Sequence, residues 1–370
     1  MKKIGLIMSL LIGFSLCGRQ AGIHFEKMDF DTARQKAQNE QKLLLTYFYT
    51  DWWGACRQLN QLVYTNKEVG EYINAHYVSI KINGDSLEGK QLREKYKYPG
   101  YPTTIIMTSD GEEIDRIVGF NGQKDEYFQL LKDYTEGRGT LGDYLKKLDE
   151  EPDNFELNYA VLNKYYDRND TPMIRKYAQI VLELDPENTK GKKTEMLYHL
   201  AFSEYKTSGE INPLMDFINS CNDEQWLEMA YNEVVRYYQK KSDQSQVLAT
   251  YESAIQRLPQ STSVMNSYAW YIFQNKIAER YSRGIQIARQ AVELEPSADH
   301  IWDTLGQLLF AAGQVDEAIQ AMQKASELNP QEKSYQELLI KYKKALNSWL
   351  VYILDFDNYW RQYNTLRIII

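Results

Sequence analysis

Few residues in this chain are equipped for chemistry, and the thiols come first: Cys17, Cys56 and Cys221. Cys56 lies in the stretch Thr50–Arg57, TDWWGACR, with Trp53 three places before it. A cysteine in place of Trp53 would complete a C-x-x-C pair, the spacing used for thiol–disulfide exchange. With an indole there instead, the stretch holds one thiol, and a two-step exchange needs a second thiol to release the mixed disulfide. Cys56 alone could form lasting mixed disulfides or take a glutathione cap. The four histidines, His24, His76, His199 and His300, show no metal-ligand spacing, and neither an H-E-x-x-H run nor a Cys/His cluster is present. No metal and no other cofactor is expected. GFNGQ (Gly119–Gln123) reads as a turn rather than a phosphate loop. NGDSLEG (Asn83–Gly89) reads as a polar connector.

The elements that must position Cys56 follow from length and periodicity. A chain of 370 residues, 43% hydrophobic and 25% charged, is long enough for two or more domains, each with its own core. A net charge of −8 and the absence of a basic face argue against nucleic acid as a partner. At the start, Lys2 and Lys3 precede an uncharged apolar run from Ile4 to Leu16, then Cys17 and Gly18. This pattern predicts a signal peptide over 1–18, too short for an ordinary membrane span. The expected location is the periplasm or cell envelope, where thiols meet oxidising conditions. Phe14 and Leu16 stand where lipoprotein signals usually carry Leu and a small residue. Simple cleavage is therefore favoured over a lipid anchor at Cys17, which would be the chain's one link to a membrane. The mature chain then keeps Cys56 and Cys221, in different domains, with no internal disulfide framework implied.

Residues 24–137 mix strands and helices. KLLLTYFY (Lys42–Tyr49) is a continuous apolar run of strand length, as in a strand buried on both faces. YVSIKIN (Tyr77–Asn83) alternates at period two. Thr103–Phe120 reads as a hairpin turning at Asp110-Gly111. Asp31 is placed to cap the helix that follows it, and a last helix covers Lys124–Tyr134. The order predicts a central sheet with helices on both faces. An acidic, polar stretch over 138–153 reads as a linker. From 154 to 347 the pattern is wholly helical and closed at intervals by proline. Pro152 and Pro186 are 34 residues apart, Pro296 and Pro330 again 34, and Pro259 and Pro296 37, as if three residues were inserted. The final segment 348–370 is apolar and aromatic and fits no repeat position.

The proline period, with Trp302, Leu305, Gly306, Ala318, Met322, Ala325 and Pro330 in sequence, resembles the tetratricopeptide repeat. Five units are expected, Phe155–Pro186, a degenerate Thr194–Gln225, Glu228–Pro259, Thr262–Pro296 and Asp299–Pro330, with a capping helix over Ser334–Leu346. Residues from about Phe25 to Tyr134 resemble the thioredoxin superfamily through KLLLTYFYTDWWGAC and YPGYPTTIIM. The fold class implied is an α/β thioredoxin-like domain followed by an all-α tetratricopeptide solenoid. The resemblance puts the motif tryptophan on Trp52, the nucleophilic cysteine on Trp53 and the resolving cysteine on Cys56. It puts a proton-relaying carboxylate on Tyr47, which cannot act as one at neutral pH, and a cis-proline on Pro102, preceded by a bulky Tyr101. What it implies is a fold kept while its usual chemistry is lost. Trp52, Trp53, Tyr101 and Pro102 would form a contact groove, and the repeats would hold a protein or peptide. The competing expectation is a thiol–disulfide oxidoreductase or isomerase using Cys56 as its catalytic thiol, alone or with Cys221 or a partner's thiol.

Overall fold

The structure, a computed structural model, describes residues 22–347. The expected signal peptide and the apolar segment 348–370 fall outside them. The chain divides into two compact units, one ending at Ser208 and the other beginning at Gly209.

The first unit is built on a five-stranded sheet ordered β1-β3-β2-β4-β5: β1 Phe25–Glu26, β2 Leu43–Tyr49, β3 Tyr77–Asn83, β4 Thr103–Met107 and β5 Glu113–Val118. β3 runs parallel to β1 and β2, while β4 is antiparallel to β2 and to β5. β2 is central and buried along nearly its whole length, which is why its sequence is continuously apolar rather than alternating. One face of the sheet packs on a core that includes Leu45, Tyr47, Leu59, Tyr64 and Leu131. The other packs on Phe30, Leu44, Phe48, Ile105 and Met107. The helices covering them are α1 Phe30–Glu40, α2 Gly54–Leu59, α3 Lys67–His76, α4 Leu87–Tyr96 and α5 Lys124–Thr135. The hairpin turns where expected: Gly111 takes φ 82°, a value suited to glycine, and its N–H donates to the Thr108 carbonyl at 3.0 Å.

Two local readings are corrected. Asp29, not Asp31, caps α1; its carboxylate accepts the Thr32 N–H at 2.8 Å, and Asp31 lies in the first turn. The helix starts early because Phe30 is buried in the core and its N–H is taken by Glu88. The stretch 138–153 is not a bare linker, since it contains α6, Leu141–Glu150. Thr140 caps that helix, and the Leu141 N–H donates to the buried carboxylate of Asp115 at 2.8 Å.

Helix pairs follow, the one expected to start at Glu228 beginning four residues earlier, at Glu224. α7 Phe155–Tyr166, α8 Thr171–Leu184 and α9 Lys193–Ser208 belong to the first unit. The second holds α10 Asn212–Ser220, α11 Glu224–Lys240, α12 Gln244–Arg257, α13 Thr262–Gln274, α14 Tyr281–Leu294, α15 Asp299–Ala311 and α16 Val315–Leu328, then a helix over 333–347 (α17). The break between units falls inside the repeat expected to be degenerate. The long proline spacing is explained by a 3-10 turn, Ala278–Arg280, between α13 and α14. Gly306 is small because α16 crosses close by: a Cβ there would sit 3.3 Å from Met322 Cε and 3.4 Å from the Ala318 carbonyl oxygen. α17 covers α15, with the buried Tyr342 ring stacked 4.0 Å from Phe310. Among the described residues, no helix is long and apolar enough to cross a membrane.

Candidate functional site

β2 delivers the chain into the loop at 50–53, and α2 begins at Gly54 with Trp53 as its N-cap residue in extended conformation. The Trp53 carbonyl accepts the N–H groups of Cys56 at 3.1 Å and Arg57 at 3.3 Å. Its side chain makes no capping bond, since an indole has only a donor. Position 53 thus occupies the helix N-terminus, where a thiol would be stabilised as thiolate. Trp53 fills that place with a ring that is 47% exposed.

Cys56 lies one turn inside and is 1% exposed. Burial pushes its thiol above the usual range, opposed by the Thr50 backbone N–H, the Tyr47 hydroxyl and the Arg57 charge. Tyr47, fully buried on β2, donates its hydroxyl to the Cys56 carbonyl at 3.3 Å. Burial, and next the neighbouring Cys56, hold that hydroxyl far above its ordinary value. Tyr47 therefore stays protonated and serves as a donor; it cannot relay a proton as a carboxylate does. Behind it, the Tyr64 and Tyr127 hydroxyls lie 3.0 Å apart and share the Thr104 hydroxyl. Nothing in the local sequence pattern signals this buried network, because a π-helical turn over Asn60–Tyr64 shifts the register that brings Tyr64 inward.

Trp52 is 62% exposed and stands against Trp53, ring centroids 5.7 Å apart at 81°. Its Nε1–H donates to Asp85 Oδ2 at 3.0 Å. Asn83 ties this loop to the preceding one: its Nδ2 donates to Asp51 Oδ2 at 3.0 Å, and its Oδ1 accepts the Asp85 N–H at 2.8 Å. The stretch read as a connector is therefore part of the site. Tyr101 packs on the same turn, since a Cβ on Gly84 would lie 1.9 Å from its hydroxyl. The Arg93 guanidinium lies 5.4 Å over the Tyr101 ring. The Tyr101–Pro102 peptide is cis. Pro102 itself is buried, its carbonyl accepting the Gly119 N–H at 2.8 Å, so it offers no contact surface. Trp52 and Tyr101 thus meet residues 83–85, with Trp53 beside Trp52, while Pro102 is buried.

Cys221 belongs to the other unit, buried at the end of α10 with its thiol 3.6 Å from the Asp223 carbonyl. Both described cysteines are free. Among the described residues no group of three His, Cys, Asp or Glu could hold a metal ion. The burial of Cys56 has a measurable consequence. Iodoacetamide should label it at pH 7 more than about tenfold slower in the folded protein than in urea, and folded-state labelling should need more alkaline solution than labelling of the unfolded chain. Mass spectrometry of tryptic peptides checks this, and equal rates would contradict the buried, protonated thiol.

A family profile described as a thioredoxin-like domain matches residues 30–135, and a tetratricopeptide-repeat profile matches 277–341. A thioredoxin H-type from Fagopyrum esculentum is 34% identical over 97 residues, which cover 26% of this chain and 76% of that protein. The thiol:disulfide interchange protein DsbD of Photorhabdus laumondii is 30% identical over 86 residues, 22% of this chain. The match spans only 15% of DsbD's length. A solution structure from Bacteroides thetaiotaomicron, described as a candidate disulphide-isomerase, aligns at 34% identity with a TM-score of 0.30, covering 32% of this chain and 97% of that one. Through its N-terminal α/β domain the chain belongs to the thioredoxin family, and its helical part carries tetratricopeptide repeats over residues 277–341.

Proposed function

We propose that this protein works by binding rather than by dithiol exchange: the thioredoxin-like domain supplies a contact surface and the repeats hold a peptide or partner protein. The observation that carries this reading is Trp53 at the N-cap of α2, with the single thiol of Cys56 1% exposed behind it. The site lacks an accessible thiol nucleophile, and the buried position on β2 facing Cys56 holds Tyr47 rather than a carboxylate; exchange needs an attacking thiolate and a thiol to resolve the adduct. The repeats support the binding half, because stacked helical pairs present extended surfaces suited to chain segments. On this reading residues 1–18 export the chain to the periplasm or envelope, and the mass of the mature N-terminus would separate cleavage from lipidation at Cys17.

The competing reading is a thiol–disulfide oxidoreductase or isomerase working through Cys56. The purified mature protein and its Cys56→Ser variant are assayed for disulfide reduction and for reshuffling of a scrambled substrate. Equal, background-level rates are expected for the two. A rate in the native protein that Cys56→Ser removes would reverse the assignment.

A further inference from the structure

The face around Trp52 has features that a general contact surface does not need. Two indoles, 62% and 47% exposed, meet nearly at right angles and form an open corner. A Cβ built on Gly54, next to Trp53, meets nothing within 4 Å, so the approach beside the corner is clear. Two exposed acidic residues flank it. The Asp85 carboxylate accepts the Trp52 indole N–H, and the Asp51 carboxylate is held by Asn83, whose amide also fixes the Asp85 backbone. Each of these bonds uses Oδ2, leaving Oδ1 of both exposed side chains to accept from a partner. A carboxylate on an indole N–H also pushes electron density into the ring, which strengthens its faces as cation acceptors. The local arginines are bonded to backbone and rings: Arg57 donates to the backbone carbonyls of Asp51 and Trp52, and Arg93 lies over Tyr98 and Tyr101 and donates to the Pro99 carbonyl.

We propose that this corner receives a cationic side chain, an arginine guanidinium of a protein partner, stacked on the indoles with Asp51 and Asp85 beside it. The inference rests on reading the face as a contact site and names the chemistry of what it contacts. A planar guanidinium suits both elements at once, since it stacks on aromatic faces and donates in its plane to carboxylates. The net charge of −8 on the chain favours approach of a basic partner at longer range. An apolar partner would use the indoles and leave the two carboxylates to be desolvated without compensation.

The test uses the full chain and a short peptide bearing one arginine, against the same peptide with citrulline, which keeps the shape and removes the charge. The arginine peptide should bind about five- to tenfold more tightly, shift the Trp52 and Trp53 indole N–H resonances, and weaken as salt is raised. Asp85→Asn, a change at an exposed position, and Trp53→Ala should each erase the difference between peptides. Equal affinities, no binding, tighter binding of a leucine peptide, or a preference that survives both variants would each overturn the proposal. The disulfide-reduction assay is independent: Cys56-dependent turnover would sink the non-redox reading while leaving the charge preference as measured.

Discussion

Replacing Asp115 by alanine should destabilise the first unit by about 3–5 kcal/mol, the loss found when one partner of a buried ion pair is removed. Asp115 is fully buried on β5 and receives four donors. They are the Arg116 N–H at 2.7 Å, the Leu141 N–H at 2.8 Å, Arg168 at 3.0 Å and Lys164 at 2.8 Å. Three of the four come from elsewhere in the unit: one from α6, one from α7 and one from the residues just after α7. Lys164 lies 4.2 Å from the Tyr134 ring centroid, and burial pulls its ammonium below the usual lysine range against the raising effect of Asp115. Arg116, 2% exposed, adds bonds to Glu113, to the Tyr96 carbonyl at 2.9 Å and to the Asp167 carbonyl at 3.1 Å. Without Asp115, Lys164 keeps its burial and loses its counter-charge. Urea unfolding of the full chain, read in the transition that carries the thioredoxin-like domain, measures the effect. Asp115→Leu combined with Lys164→Met should recover the part of the loss due to the stranded ammonium, while the Arg116 and Leu141 N–H groups and Arg168 still lack this acceptor. A loss below about 1 kcal/mol for Asp115→Ala would place the cluster among weak surface pairs.

Trp53→Cys should create disulfide-reductase activity at least about tenfold above the Cys56→Ser background, because a thiol at the N-terminus of α2 gains the helix dipole and free N–H groups that favour thiolate. The position is reachable, since the native side chain there is 47% exposed. Cys56 would then act as the resolving thiol, held up by burial and faced by a tyrosine that stays protonated. A thiol pushed upward is mostly un-ionised at neutral pH and gains thiolate as pH rises towards and beyond its raised pKa. The variant's turnover should therefore keep increasing above about pH 8. If the variant shows no activity and its introduced thiol forms no disulfide with Cys56 on oxidation, Trp53 has been accompanied by a deeper change of the loop.

The elements around the site are readable from local pattern. β2 is legible because a strand buried on both faces must be apolar at every position. The hairpin is legible because Asp110-Gly111 supplies a left-handed turn, and the repeats are legible because each helical pair needs small residues at its crossing and proline at its end. The identity of position 53 is also a sequence fact, and with it the missing thiol. Other features were out of reach. Asp115 reads as one acidic residue on an edge strand, and its partners lie 26 and 53 positions away. Asn83 reads as a loop residue until the ends of β2 and β3 bring Asp51 beside it. Asp31 looks as good a cap as Asp29 until the burial of Phe30 fixes where α1 starts.

Residue type and spacing were enough to establish a thioredoxin-like domain with one thiol in place of two, followed by helical repeats, most of them closed by proline. Both properties are written along short stretches, where periodicity and turn chemistry act. It took the folded chain to show that Cys56 is shut in, that Trp52 and Trp53 form an exposed corner flanked by carboxylates, and that Asp115 bonds to α6 and to residues in and after α7. Burial and ion pairing depend on which distant segments come to face one another, and no local pattern specifies that.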